Sequence, residues 1–345
     1  MRDEIREKYG KWLGTPGDRS KVGEMTEKEL LLGRTLKRMR EHRQIPLEEL
    51  AKGICAPSDM VAMENGIKSS LLITGAYLTR MGKSINKFEF YSTNLEYEQQ
   101  CKRDNIIELW KAQNLEEAGN RLAEYDRYFR SKYNESWSNW QKCCIALRRD
   151  NLPERYREIW EELVGQKLYF TQEEMDYLWE LVKYYERRMD VVHIRETYSL
   201  MYRNTMATGM FLPQSGRGMD EERKLEILPE LCLSFGHFEH MQGRAADALQ
   251  VLDTAISLLR GSMRMRMLEE LLVERMTILK ELWENGSDVE VYGRMCKDAE
   301  YLIVLDLVGD KFEKAFERLC WLKEEAKWGN TILDSLYTVL EKRLG

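Results

Sequence analysis

From about residue 94 to its end this chain reads as one amphipathic helix after another, and the helices come in pairs. Apolar side chains recur at helical spacing, so each segment has one face to bury. The pair 134–149 and 153–169 sets Trp140, Cys143 and Leu147 against Tyr156, Trp160 and Leu163, and the pair 172–188 and 190–207 sets Leu178, Leu181 and Tyr185 against Ile194, Tyr198 and Met201. Pairs in the same style run over 94–114 with 115–131, holding Ala118 and Leu122, over 263–285 with 288–308, and over 311–328 with 331–344 as a cap. A pair that can cover its apolar face only with its neighbours must stack into an elongated array. The chain has 345 residues, 43% of them apolar and 32% charged, with only six Pro, as long helices with wetted outer faces require.

Several classes of function are disfavoured by what is missing. No run of about 18 apolar residues offers a membrane span, and the opening MRDEIREKYGKWLG lacks the apolar core of a signal peptide, so a cytoplasmic chain with no membrane partner is expected. Seven Cys, an odd count without CxxC pairs, fit reduced structural thiols. Neither a phosphate-cradling GxxxxGK, nor GxSxG, nor HExxH occurs. His237 and His240, spaced i and i+3, are the only histidine cluster, and no third ligand follows at a recognisable spacing. The expectation is therefore no enzyme, no cofactor and no metal.

Residues 30–66 carry the most specific signal. Leu36 and Met39 repeat at helical spacing, Pro46 opens a second helix bearing Leu47 and Leu50, and Ala51 is small where helices cross. Gly53 permits a tight turn before a third helix over 57–65, and Gly66 is placed to end it. A fourth helix is predicted over 71–81, closed by Gly82, and a fifth over 84–91. Residues 30–90 hold ten Lys or Arg against six acids, whereas the whole chain is at −6 and residues 1–29 balance, so the remainder holds about −10. A basic head on an acidic body is the asymmetry expected when only the head meets nucleic acid. Residues 1–29, with Ile5, Tyr9, Trp12 and Leu13 before a breaker-rich stretch, form an N-terminal extension of unassigned role.

The segment resembles a helix-turn-helix of the phage-repressor (Xre) type, and Gly53-Ile54-Cys55, Ser58 and Glu64-Asn65-Gly66 resemble the DNA-binding end of the Rgg/PlcR/PrgX regulators, which sense peptides in Gram-positive bacteria. That resemblance implies an interior pair between Arg40 and Glu64, a homodimer on a two-fold operator in double-stranded DNA, and a short signalling peptide as ligand. Its recognition helix and flanks would be Arg43, Ala56, Pro57, Ser58, Asp59, Ala62, Asn65 and Lys68. Few of these make bidentate base contacts, so binding mainly through phosphates and shape is expected.

The segment 229–260 matches the tetratricopeptide pattern: Gly236 falls at the small position of a first helix, Ala248 and Ala255 at the small positions of a second, and Leu252 at the large apolar one. The expected fold is all-α, with a five-helix helix-turn-helix domain (30–91) after the extension (1–29), followed by a right-handed TPR-like α-superhelix (92–345) for peptide binding and dimerisation. Counting Gly236 as the eighth residue of its helix puts Glu230, Leu233, His237 and His240 on the concave surface, and weaker alignment of the neighbours adds Trp179, Lys183, Glu186, Glu274, Thr277 and Glu281. Mixed acids, bases and apolar groups suit an extended peptide. The Met-rich run Met263 to Met267 and the loop 209–220, with Phe211, lie beside that surface in sequence order. The function expected is a cytoplasmic, quorum-sensing transcription regulator. The alternative is a TPR adaptor, a protein-interaction module with a degenerate helix-turn-helix. Peptide sequence, operator sequence and the choice between activation and repression are not encoded in these patterns.

Overall fold

The computed structural model describes residues 27–67, 71–82, 94–206, 221–262, 267–286, 289–328 and 331–344. Among these the chain is all-α, with no strand. The N-terminal extension up to residue 26, the expected fifth head helix over 84–91, Lys68, the loop 209–220 and Met263 to Arg266 lie outside the described residues. Two compact units divide between Lys224 and Leu225, so the expected boundary at residue 91 falls inside the first unit.

In the first unit, α1 (Glu27–His42), α2 (Leu47–Ala51), α3 (Pro57–Glu64) and α4 (Leu71–Arg80) form the head. Pro46 sits at the N-cap of α2 and Pro57 in the first turn of α3, where a missing N–H costs nothing. Leu36, Ile45, Leu50, Ile54, Met60, Tyr77 and Leu78 bury against one another as the head's core. That core also takes in Tyr133 and Leu168, which belong to the helices that follow.

Those helices are α5 (Asn94–Lys111), α6 (Leu115–Tyr128), α7 (Lys132–Arg148), α8 (Tyr156–Val164), α9 (Gln172–Glu186) and α10 (Val191–Met206). The first helix of each pair ends the same way. Two or three residues past the helix the backbone turns left-handed, at Gln113, Asp150 and Met189, and the next amide reaches back five residues, from Asn114 to Leu109, Asn151 to Ala146 and Asp190 to Tyr185. This is the Schellman closure that reverses the chain and sets the pairs in step. An arginine of each following pair then caps the helix before it: Arg148 donates to the carbonyls of Trp110 and Lys111 at 2.9 Å each, and Arg187 to that of Leu147 at 2.7 Å. A cation at a helix C-terminus gains from the helix dipole as well as from the hydrogen bonds. Helix α8 stops at Val164, five residues short of the expected end, because Leu168, Tyr169 and Phe170 leave the helical path to be buried.

The second unit contains most of α11 (Glu221–Met241) and then α12 (Ala245–Ser262), α13 (Leu268–Glu284), α14 (Val289–Val308), α15 (Phe312–Cys320), which runs on into a π-helical turn (Trp321–Glu325), and α16 (Thr331–Leu344). Gly236 meets Leu252 so closely that a Cβ there would lie 2.8 Å from Leu252 Cγ. Ala248, Leu252 and Ala255 are fully buried, so the small residues mark the crossing of α11 and α12. Gly243, at φ +72°, closes α11 with the same backward bond, Arg244 to Glu239. Helix α13 starts at Leu268 rather than 263, since Met267 stands in the left-handed region at its N-cap.

Candidate functional site: an exposed helix-turn-helix face and a histidine–carboxylate cluster

The head holds α3 by its inner face. Met60, Met63 and Glu64 are buried, and α1 crosses the end of α3 at backbone contact: a Cβ on Gly33 would stand 2.6 Å from the Met63 carbonyl and 2.7 Å from that of Glu64. Arg40 of α1 grips Glu64 with a two-pronged pair, Nε to Oε1 at 2.6 Å and Nη2 to Oε2 at 2.8 Å, and its remaining nitrogen donates to the Ile45 carbonyl. The Tyr77 hydroxyl lies 2.7 Å from Glu64 Oε1. The hydrogen bond with Glu64 raises the Arg40 pKa further, and burial followed by its own hydrogen bond to Glu64 raises Tyr77, so this carboxylate keeps a cation and a neutral phenol around it. The interior pair that the resemblance implied is thus present, between α1 and α3.

With its inner side fixed, α3 turns Ser58, Val61 and Asn65 outward, all exposed, with Ala62 half-buried among them. Pro57 is exposed at its start, while Ala56, the N-cap, and Asp59 are half-buried. Gly53 stands at φ +71° in the turn leading to α3. Arg34, Lys37 and Arg38 of α1 and Lys52, just after α2, are exposed on the same head. Arg43 is not among them. Expected at the DNA backbone, it is 6% exposed and donates to the Met81 carbonyl, so its guanidinium is committed to the interior. Sequence order alone shows a basic residue at the end of a helix, without the direction of its side chain. Val61, 44% exposed, was missed because apolar periodicity assigns a valine to a core by default.

Four of the expected peptide residues of the second unit, His237, His240, Glu274 and Glu281, come together from two helices. His237 Nδ1 lies 3.0 Å and His240 Nδ1 3.3 Å from Glu274 Oε1, and His240 Nε2 lies 2.9 Å from Glu281 Oε2. His240 thus faces a carboxylate with each ring nitrogen, an arrangement satisfied only when both carry protons. Burial lowers its pKa, but the hydrogen bonds to Glu281 and Glu274 outweigh that and hold it above the ordinary histidine value. Glu230, His237, Thr277 and Glu281 are exposed, and Leu233, His240 and Glu274 are half-buried. Among the described residues no three His, Cys, Asp or Glu side chains meet in a way that holds a metal. A separate cavity of about 620 Å³, lined by Ala246, Leu249, Gln250, Asp253, Thr254 and Arg294, uses none of these residues.

Trp179 and Lys183 belong to the first unit. The Trp179 ring stands edge-on to Tyr198 at 6.0 Å. Lys183 pairs with Glu180 at 2.9 Å, and Glu180 is itself forked by Arg148. Deeper in the same unit lies Arg103, 3% exposed, which sequence reasoning did not single out. It donates to Tyr125, Tyr133 and Asn134 and lies 4.4 Å from the centre of the Trp137 ring and 4.7 Å from that of Tyr133. Tyr125, Tyr133 and Trp137 thus surround a buried cation.

No protein-family model matches the sequence, and no curated protein does. Among solved structures the chain is similar to Bacillus thuringiensis PlcR in complex with the peptide PapR7 and DNA, at 17% identity and TM-score 0.38 over 83% of this chain and 99% of that one. It is also similar to the Streptococcus dysgalactiae SHP pheromone receptor Rgg2, at 14% identity and TM-score 0.38 over 83% and 98%. A cysteine-to-serine form of that receptor aligns at 12% identity and TM-score 0.40 over 85% and 99%. At these identities and scores neither DNA nor peptide binding passes from those proteins to this chain. No helix among the described residues is long and apolar enough to cross a membrane.

Proposed function

We propose that this chain is a DNA-binding transcription regulator whose helical pairs take a short peptide, and that it acts as a homodimer on a two-fold operator. The observation that carries the DNA reading is α3 itself, clamped on its inner side by Gly33 and by the Arg40–Glu64 pair, with Ser58, Val61 and Asn65 exposed on the other side and exposed Arg and Lys on the same head. The peptide reading is supported by His237, His240, Glu274 and Glu281, which converge from α11 and α13, His237 and Glu281 being exposed. The adaptor reading draws on one feature: among its described residues the outward face of α3 has no Arg, Lys or Gln.

Gel shifts of the full chain with duplex fragments from its own promoter region, over a salt series, separate the two. The regulator binds at low salt, and Arg38→Ala, which removes one exposed cation, flattens the slope of log K against log salt by about one unit. Arg43→Ala instead lowers thermal stability and leaves the slope alone. Calorimetry with short synthetic peptides is expected to give binding that Glu274→Ala abolishes. An absence of binding to any duplex would leave the adaptor as the better account, and peptide binding untouched by Glu274→Ala would move the ligand elsewhere.

A further inference from the structure

The outward face of α3 has a chemistry of its own. Met60, Met63 and Glu64 point inward and are buried, so the helical rotation of about 100° per residue sets Ser58, Val61 and Asn65 on the opposite side, where all three are exposed. Val61 is 44% exposed. A β-branched residue on a solvent face is a poorer helix former than alanine by some tenths of a kcal/mol, so its place there costs the helix a little. Arg34 and Arg38 of α1 and Lys52 after α2 are exposed on the same head and match a polyanion in charge.

In the major groove of duplex DNA the apolar feature of a base edge is the 5-methyl group of thymine, and an Asn side chain forms its best two-bond contact with adenine N6 and N7. Resting on the DNA-binding reading above, we infer that α3 reads A·T pairs, with Val61 packed on a thymine methyl and Asn65 placed for an adenine. Neither residue suits guanine, whose O6 and N7 acceptors call for Arg or Lys. Val61 is then a specificity-determining residue, and its exposure in the free protein is the cost of that role.

The test uses thymine and deoxyuridine, which differ by the methyl group alone. Full-length protein selects duplexes from a random pool at low salt. Each thymine of the enriched half-site is then replaced by deoxyuridine in turn, and affinity is measured for wild type and Val61→Ala. For wild type, one replacement per half-site is expected to weaken binding about fourfold, the equivalent of ~0.8 kcal/mol for burying one carbon-sized apolar group. Val61→Ala should bind the thymine duplex about fourfold more weakly and make no distinction between the two bases, while melting as wild type does. A wild type indifferent to every replacement, a Val61→Ala protein that keeps the distinction, or a bound pool without thymine enrichment overturns the inference and leaves DNA binding standing. Failure to bind any duplex overturns the DNA-binding reading, and the inference with it.

Discussion

Asp176 on α9 shows how far a single residue can depart from its neighbours' logic. Burial pushes its carboxyl up to about 6 from 3.8, with Lys111 and a hydrogen bond from Gln172 pulling the other way. The folded protein therefore holds the proton to a higher pH than the unfolded chain does. As pH rises from about 3.8 to about 6 the folded state loses stability, and above that the full cost of the buried charge remains, no more than about 3 kcal/mol for a displacement of that size. Asp176→Asn should thus be more stable than wild type at pH 8 and nearly equal to it at pH 4. Urea midpoints at the two pH values measure this, and a difference that does not change with pH would show that the carboxyl is not the cause. Sequence reasoning did not single this residue out, since periodicity gives a face and not the depth of a particular side chain. The inward turn of Arg43 and the outward turn of Val61 escaped it for the same reason.

Helices were legible where their ends carry local chemistry. Pro46, Pro57, Gly53 and Gly66 mark starts and stops found within a residue or two, and Gly236, Ala248, Leu252 and Ala255 gave the crossing of α11 and α12. Legibility failed where tertiary packing overrules the local signal, as at Leu168 to Phe170 after α8. Gly33 was passed over inside a helical run, yet it sets the crossing of α1 and α3 more strictly than Gly236 sets its own. The new methyl of Gly33→Ala would meet backbone oxygens at 2.6 and 2.7 Å, which move only if a helix moves, whereas that of Gly236→Ala would meet the flexible Leu252 side chain at 2.8 Å. Gly33→Ala should cost about 1 to 3 kcal/mol or more, as overpacking against fixed atoms does. Gly236→Ala should cost about 1 kcal/mol or less, the Leu252 rotamer absorbing the change while alanine favours the helix. Denaturant titration of the two variants side by side decides it, and equal costs would mean that α1 and α3 are free to separate.

At the scale of the whole molecule, the first unit joins what sequence reasoning treats as two domains. Arg80 at the end of α4 is 0% exposed, and its Nη2 lies 3.0 Å from Glu174 Oε1 on α9. Glu174 also accepts from the Thr171 amide, closing the capping box that starts α9. Ser136 of α7 donates to the Gly53 carbonyl at 2.5 Å, in the very turn that precedes α3, and the Tyr169 ring lies so close to Gly82 that a Cβ there would stand 2.5 Å from it. With Tyr133 and Leu168 inside the head's core, removing the following helices would expose apolar surface and strand the Arg80 charge. The head and α7 to α9 should therefore open as one cooperative unit rather than as a domain on a linker. Hydrogen exchange of the full chain in mild denaturant should show amides of residues 27–82 and 132–186 losing protection at the same free energy. Glu174→Ala, which breaks a buried pair, should lower both by about 3 kcal/mol or more while leaving residues 268–344, which have their own apolar core, unchanged. Head amides that exchange several kcal/mol below those of α7 and α9, and that ignore Glu174→Ala, would mean the contacts at Gly53 and Arg80 carry no coupling. If the predicted result holds, whatever displaces α7 acts on the turn before α3 through at most one side chain, since the Ser136 hydroxyl reaches the Gly53 carbonyl without an intermediary.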